Sequence, residues 1–342
     1  MENKLQALNI STLEKYDSEK MYKTYDNWPE IAKKSYNYDY SKIEFKNIDH
    51  IVFSGMGGSG AIGDIFSSIL SSENIHVSVI KGYILPKTVD SKTLVINISA
   101  SGNTTETLTV LKSTMKLNCK TISFSSGGKI EKFCKSNNLE FRKILFFHSP
   151  RASFVSFLFS MLKILKKIIK IKDKDIKEAI TQLENLNKKI SSSNLTENNP
   201  ALELSKWLTG IPLIYYPNGL ESAAIRFKNS LQENAKMHVF SEDVIEACHN
   251  GVVAWEKKSN VQPILLKGKD DYVKTKERWK ILKKYFKDNK IDYWEIESIE
   301  GNILSKLVCM IYLLDFSSIY KSAIEHIDPS PVESITYIKN KL

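Results

Sequence analysis

The chain has 342 residues with 42% hydrophobic and 26% charged residues, a composition typical of a globular protein with two domains. The net charge of +10 comes from lysines spread along the chain, which favours solvated helix faces over a nucleic-acid site. The four cysteines form no CxxC pair, no apolar run approaches about 20 residues, and Met1–Lys4 begins no signal segment. We therefore expect a cytoplasmic protein with reduced thiols, no structural zinc and no membrane span.

The polar residues 1–49 predict one or two helices that cover the first sheet. From His50 onward, short apolar runs alternate with helical patterns such as Thr104–Leu117. This alternation predicts a parallel, three-layer α/β domain over residues 50–152. Its predicted strands are Ile51–Phe53, His76–Ile80, Thr93–Ile98, Thr121–Phe124 and Lys143–Phe147.

Residues 153–197 predict a helical connector, and a second α/β domain follows over residues 198–325. Its predicted strands are Ile211–Tyr216, Val261–Leu266 and Ile291–Trp294, and its predicted helices are Glu221–Lys236 and Lys274–Phe286. The repeated order of strand, glycine-containing turn and helix suggests a duplication in which only the first copy kept a glycine-rich loop. Residues 326–342 form a tail.

The stretch Ser54–Asp64 joins the first predicted strand to a helix and is rich in glycine and serine. Such a turn points backbone N–H groups, and the positive end of a helix dipole, at one spot, which suits a phosphate. Gly57, Gly58 and Ser59 are the candidate ligands. No lysine follows the last glycine, so a Walker loop is excluded. A tight turn needed only for packing is the alternative.

A second strand ends in a similar way, in Ile96–Leu108. Ser99, Ser101 and Thr104 can present hydroxyls near a helix N-terminus, although Thr104 with Thr107, or Asn103 with Glu106, also fits helix capping. Both loops fall at the carboxyl ends of parallel strands, where ligands bind. Many neutral donors and few cations suit a phosphate monoester that is held but not transferred.

The pair SGMGGSG and ISASGNTTET resembles the sugar isomerase (SIS) domain, which binds phosphosugars. Further motifs resemble the bifunctional phosphoglucose/phosphomannose isomerases over roughly residues 45–342. These motifs are His148-Ser149-Pro150-Arg151, Arg226-Phe227-Lys228-Asn229, Glu233-Asn234-Ala235-Lys236 and His249-Asn250-Gly251 with Trp255. The resemblance implies two SIS-type domains with parallel sheets flanked by helices, a short C-terminal helix, and interconversion of glucose or mannose 6-phosphate with fructose 6-phosphate.

The resemblance also implies a role for each matching residue. Glu233 is the base that moves a proton between C1 and C2, and Arg151 stabilises the enediolate. His249 opens the sugar ring in the neighbouring subunit of a homodimer. Lys339 assists from the C-terminal helix, beside a buried stripe of Ile335, Ile338 and Leu342, and Lys341 is the alternative. No metal or cofactor is implied.

Interpretations without this resemblance stay open at each position: a solvated helix-end Glu233, an interior His249 and a surface Arg151. The sequence departs from the family pattern at Ala100-Ser101 and at Glu246. Two other functions remain as alternatives, a glucosamine 6-phosphate synthase-like isomerase module and a non-catalytic phosphosugar sensor.

Overall fold

The computed structural model describes residues 8–41 and 43–341, which form two compact units. One unit runs from Asn27 to Thr181, and we call it the first-sheet unit. The other, the second-sheet unit, combines the described residues before Asn27 with those after Thr181. The predictions made for Met1–Lys4 and Leu342 lie outside the described residues.

The first-sheet unit is built on a parallel sheet with strand order β2-β1-β3-β4-β5. Before this unit, α1 Ile10–Tyr16 and α2 Met21–Asp26 belong to the second-sheet unit. The elements that follow are α3 Trp28–Asn37, β1 His50–Ser54, α4 Gly58–Leu70, β2 His76–Ile80, β3 Thr93–Ser99, α5 Thr105–Thr114, β4 Lys120–Ser125, α6 Gly128–Ser136, β5 Glu140–Lys143, α7 Phe154–Ile164, α8 Lys166–Ile169 and α9 Asp173–Ile190, of which α9 crosses the boundary between the units. The central strands β1 and β3 are buried along their whole length. Their nearly continuous apolar runs are typical of strands covered by helices on both faces.

The second-sheet unit has a parallel sheet with strand order β7-β6-β8-β9. Its remaining elements are α10 Pro200–Trp207, β6 Ile211–Tyr216, α11 Glu221–Asn234, β7 Phe240–Asp243, α12 Val244–Ala247, a 3-10 helix Gly251–Glu256, β8 Val261–Lys267, α13 Val273–Asp288, β9 Trp294–Glu297, α14 Ile303–Ile324 and α15 Glu333–Lys339. In each sheet the first strand in sequence lies between the second and the third. Two parallel sheets flanked by helices confirm the predicted α/β fold class.

Two predicted strands are misplaced. The strand predicted at Lys143–Phe147 ends at Lys143, and the one predicted at Ile291–Trp294 begins at Trp294. In the first case the apolar residues Leu145 and Phe146 are exposed, so their apolar character did not indicate a buried strand. Hydrophobic runs at a sheet edge are therefore a weaker guide than those at its centre.

The N-terminal helices also differ from expectation, because α1 and α2 contact α14 within the second-sheet unit, while α3 packs on α7 within the first-sheet unit. The 22-residue helix α14 corrects a second expectation, because it is long and apolar enough to cross a membrane. However, 83% of its most apolar window is buried inside the protein, where α14 packs on α10 and α11. Its hydrophobicity is that of a core helix.

Candidate functional site

The first loop leaves β1 at Ser54 and turns at Gly57, whose φ of +53° favours glycine. A Cβ at Gly57 would meet nothing within 4 Å, so open space lies beside this residue. By contrast, a Cβ at Gly55 would lie 3.0 Å from the carbonyl oxygen of Ile98. Gly55 thus serves close packing, whereas Gly57 borders space that a ligand can fill.

Helix α4 begins at Gly58 with no acidic residue in its first turn. Within residues 8–41 and 43–341, the backbone N–H groups of Gly57 and Gly58 have no acceptor, whereas the N–H of Ser59 donates to Met56 O at 3.0 Å. These two N–H groups lie at the positive end of the dipole of a 13-residue helix, an arrangement that can bind an anion. The predicted contribution of Gly57 and Gly58 is consistent with this geometry.

Ser59 connects the first loop to the second. Its side chain is nearly buried, and its Oγ accepts the N–H of Ala100 at 3.2 Å. Because a serine hydroxyl can donate while it accepts, its proton remains available to a ligand. The structure therefore brings the two predicted loops into contact within one unit.

The second loop places its hydroxyls against its own backbone. The Oγ of Ser99 lies 2.8 Å from Thr104 Oγ1 and accepts the N–H of Gly102 at 3.1 Å, while Ser101 Oγ accepts the N–H of Asn103 at 3.2 Å. Thr104 is the N-cap of α5, yet its side chain makes no capping hydrogen bond. The N–H group of Thr105, at the start of α5, has no acceptor in the described part of the chain. In this it resembles the N–H groups of Gly57 and Gly58 in the first loop.

Asn103 does not cap α5 either, since its Oδ1 accepts the N–H of Lys129 at 3.1 Å. Lys129 follows a third loop, Ser125–Gly128, which the sequence analysis missed. In this loop Ser126 donates both its N–H and its hydroxyl to the carbonyl oxygen of Ala100, at 3.2 and 2.6 Å. The pattern of strand, Ser-Ser-Gly-Gly and helix could have revealed it, because it repeats that of the first two loops.

One cation lies beside the first loop. Lys81 follows β2, its Nζ is 2.7 Å from Asp64 Oδ2 on α4, and its Cε passes 3.3 Å from the position of a Cβ at Gly60. Burial raises the pKa of the Asp64 carboxyl, and the Lys81 ammonium opposes that rise. Lys81 was not predicted from the sequence, because it follows the neighbouring strand β2 and lies more than 15 residues from the glycines of the loop.

Arg151 lies in the same unit, in the segment before α7, and only 4% of its surface is exposed. The backbone around it is fixed, since Ala152 donates its N–H to Ser149 Oγ at 3.3 Å and accepts the Trp28 indole N–H at 3.1 Å. A buried guanidinium excludes the alternative of a surface arginine at a helix start. Its contribution to a substrate site stays a prediction.

The second-sheet unit carries Glu233 in the last turn of α11. The side of α11 that carries Arg226 and Ser230 is tied to α14 through Asp315, which pairs with Arg226 at 2.7 Å and accepts the Ser230 hydroxyl at 2.6 Å. Glu233 follows Ser230 by three residues and lies on the same side of the helix. Asn234 donates to Ser318 Oγ at 2.8 Å. These bonds hold the end of α11 in place, and with it the partly buried Glu233.

The positive charge of Arg226 on α11 is stabilised by neighbouring groups. Burial disfavours the charge of Arg226, but attraction from Asp315, Tyr25 and Glu233 outweighs it and raises the pKa of the guanidinium. Arg226 is therefore a permanent buried cation whose field reaches Glu233.

His249 follows α12 and is exposed, which rules out the alternative of an interior histidine. Its N–H donates to Glu246 O at 2.9 Å, and the Glu246 carboxylate accepts from Asn250 Nδ2 at 2.7 Å. Glu246, where the sequence departs from the family pattern, thus shapes the turn that presents His249.

Lys339 is the last residue of α15, and α15 has no buried residue. Ile335 is 38% exposed and Ile338 58% exposed, so the prediction of a buried stripe beside Lys339 is wrong for the single chain. Lys341 lies 5.9 Å from the Tyr337 ring. The structure thus places the candidate phosphate ligands and Arg151 in one unit, and Glu233, His249 and Lys339 in the other.

Two family models match this chain, one in each of the two units. The family model of the bacterial phospho-glucose isomerase C-terminal SIS domain matches residues 197–342, and that of the SIS domain matches residues 44–137. The C-terminal domain of glucosamine-fructose-6-phosphate aminotransferase from Francisella tularensis has a similar fold, with a TM-score of 0.68 at 17% identity over 90% of this chain and 96% of that one.

Similarity in sequence extends over most of the chain. The bifunctional phosphoglucose/phosphomannose isomerase of Caldicellulosiruptor bescii is 31% identical over 94% of this chain and 98% of its own length. The protein of the same name from Aquifex aeolicus is 30% identical over 85% of this chain and 90% of its own. The chain therefore belongs to the bifunctional phosphoglucose/phosphomannose isomerase family.

Proposed function

We propose that the protein is an aldose–ketose isomerase that interconverts glucose 6-phosphate, and mannose 6-phosphate, with fructose 6-phosphate. The observation that carries this proposal is the 31% identity to a bifunctional phosphoglucose/phosphomannose isomerase over nearly the full length of both chains. The geometry of the two strand-end loops supports it, because they offer neutral donors to a phosphate that is held rather than transferred.

Phosphate binding falls to the first and second loops. The N–H groups of Gly57 and Gly58 and the hydroxyl of Ser59 serve one side, and Ser99, Ser101 and Thr104 serve the other. Hydrogen bonds from neutral donors bind a dianion firmly when they are preorganised by the backbone. Lys81 adds a positive field that is moderated by its pairing with Asp64.

Chemistry on the sugar falls to the other candidates. His249 and Lys339 move protons at the ring oxygen and the C1 hydroxyl, which opens the ring. Glu233 takes the proton from C2 of the open aldose and returns it to C1, while Arg151 stabilises the negative charge that develops on the enediolate oxygens. Each proton removed is returned to the substrate, so the reaction is redox-neutral overall.

We further propose that the enzyme is a cytoplasmic homodimer. All four cysteines are free thiols, which suits a reducing compartment. The exposed His249 and the exposed apolar residues of α15 suit contact with a second copy of the chain.

Glu233→Gln tests the proposed base. We expect kcat for fructose 6-phosphate formation to fall by about 100-fold to 10,000-fold, the contribution typical of a positioned general base. A coupled assay in the presence of a chelator measures this. Glu221→Gln, at the exposed start of the same helix, is the matched control and should keep its activity. Full activity in Glu233→Gln would remove the proposed base.

A further inference from the structure

Lys236, directly after α11, makes an unusual set of contacts for an exposed lysine. Its backbone has a φ of +57°, and its Nζ lies 2.5 Å from the carbonyl oxygen of Glu233. The same Nζ lies 2.6 Å from the carbonyl oxygen of Pro331 and 3.5 Å from that of Pro329. A lysine ammonium has three N–H donors, and here they face three carbonyl oxygens.

These carbonyl groups need a partner for identifiable reasons. The carbonyl of Glu233 belongs to the last turn of α11, where carbonyl groups have no acceptor role within the helix. Pro329 and Pro331 have no N–H, so the segment Asp328–Pro331 cannot form a regular hydrogen-bonded structure. Side chains secure it instead: Asp328 accepts the N–H of Ser330 at 2.9 Å and the hydroxyl of Ser18 at 2.5 Å.

Beyond Pro331 the chain continues into α15, which has no buried residue. Its position therefore depends on the point at which the chain leaves the Asp328–Pro331 segment. Lys339 lies eight residues past Pro331, about 12 Å along a helix. A small rotation at Pro331 would move the Lys339 ammonium by several ångströms.

We propose that Lys236 is a positioning residue that fixes the tail carrying Lys339 to the helix end carrying Glu233. Its ammonium joins the carbonyl group of the proposed base to the carbonyl groups of the two prolines. The catalytic part of this inference rests on the proposed function, whereas the anchoring of the tail does not. A compact tetrahedral ammonium suits three separate acceptors, and a planar guanidinium would suit them less well.

Hydrogen exchange in Lys236→Met tests the anchoring. We expect the amides of residues 332–340 to exchange about tenfold faster, because at least one charge-assisted hydrogen bond is lost. We expect kcat to fall by a similar factor while KM for fructose 6-phosphate stays within about twofold, because the phosphate is bound at the loops and not by the tail. Lys236→Arg should recover part of both effects.

Lys284→Met is the matched control, since Lys284 is an exposed lysine on α13 in the same unit. It should change neither tail exchange nor kinetics. Unchanged tail exchange in a folded Lys236→Met protein would overturn the inference, whatever its activity. Because exchange needs no turnover, this outcome is distinct from a failure of the isomerase assignment, which would show as an inactive wild-type enzyme with a normally anchored tail.

A measurement on the wild-type protein covers the case in which Lys236→Met does not fold. During brief acetylation, Lys236 should react about tenfold more slowly than Lys284, because its ammonium is engaged by carbonyl groups. Equal labelling of the two lysines would contradict the inference.

Discussion

At the scale of single residues, the hydroxyl-bearing side chains of the two loops were predictable because their pattern is local. A strand that ends in small polar residues and runs into a helix can be read from about fifteen neighbouring positions. The contacts of these side chains were not predictable. Ser59 bonds to Ala100 and Lys81 reaches Asp64 only because β1, β2 and β3 are neighbours in the sheet.

His50 at the start of β1 is a second case in which neighbouring strands determine the chemistry of a residue. His50 is 6% exposed, and its ring nitrogens Nδ1 and Nε2 lie 3.2 Å from Thr93 Oγ1 and 3.1 Å from Ser78 Oγ. The ring of His76 lies 4.6 Å away. Burial, and then repulsion from His76, lower the pKa of His50 below its ordinary value of 6.5.

The lowered pKa gives the folding stability a definite pH dependence. Below pH 6.5 the unfolded chain takes up a proton at His50 before the folded protein does, so the free energy of unfolding falls as the pH falls. We expect Tm to decrease between pH 7.5 and pH 5.5, and this decrease to be smaller in His50→Gln. Thermal denaturation followed by circular dichroism measures both. The exposed His238 provides the control, and an equal change in His238→Gln and His50→Gln would refute the assignment.

At the scale of elements, the third loop shows how the second is held in place. Gly102, with a φ of +67°, lies so close to the third loop that a Cβ would be 1.8 Å from the carbonyl oxygen of Gly127. Ile130 also donates its N–H to the carbonyl oxygen of Gly102 at 2.9 Å. The backbone of Ser101 and Asn103 is therefore set by the loop between β4 and α6.

Gly102→Ala should separate the two loops. The new methyl group must displace backbone, so we expect a loss of about 1–3 kcal/mol in unfolding free energy and a higher KM for fructose 6-phosphate. Chemical denaturation and steady-state kinetics measure these effects. Gly219→Ala is the comparison, because Gly219 also has a positive φ but open space around it. If both variants lost the same stability, the close approach to Gly127 would have no energetic role.

Strands in the middle of each sheet were easier to predict than most edge strands, although the edge strand β2, His76–Ile80, was also predicted at its observed bounds. The central strands β1, β3, β6 and β8 were located to within one residue at either end. The edge strand β7, Phe240–Asp243, was missed because it contains three polar or charged residues and an exposed Phe240. Since only one side of an edge strand is paired, its sequence is under less pressure to be apolar.

At the scale of the whole molecule, the two sheets share one strand order but differ in chemistry. The first carries the glycine- and serine-rich loops, and the second carries the proposed base and the exposed histidine. The repeated order of strand, turn and helix predicted two α/β domains of which only the first has a glycine-rich loop, whereas the roles of Glu233 and His249 came from the family resemblance and stay predictions. The discontinuous second-sheet unit could not be predicted, because α1 and α2 contact α14 through residues that are far apart in sequence, such as Tyr25 and Asp315 at a separation of 290 positions.

The proposed homodimer leads to a test by complementation. If His249 acts in the active site of the neighbouring subunit, mixed dimers of Glu233→Gln and His249→Ala contain one site with both native residues. We expect activity to return when the two inactive variants are unfolded and refolded together, up to about a quarter of the wild-type value for random pairing. Refolding each variant alone is the control, and no recovery in the mixture would argue that each site uses a single chain.

The placement of α1 and α2 also bears on how the protein is made. Tyr25 donates to Asp315 on α14 at 3.3 Å, and Tyr312 donates to Tyr25 O at 2.7 Å. On a ribosome, residues 10–26 emerge roughly 15–60 s before α14, during which the intervening unit can acquire its structure. During that interval the apolar side chains of α1 and α2 have no α14 to pack against and stay exposed to water. We therefore expect chaperones to bind nascent chains at this stage.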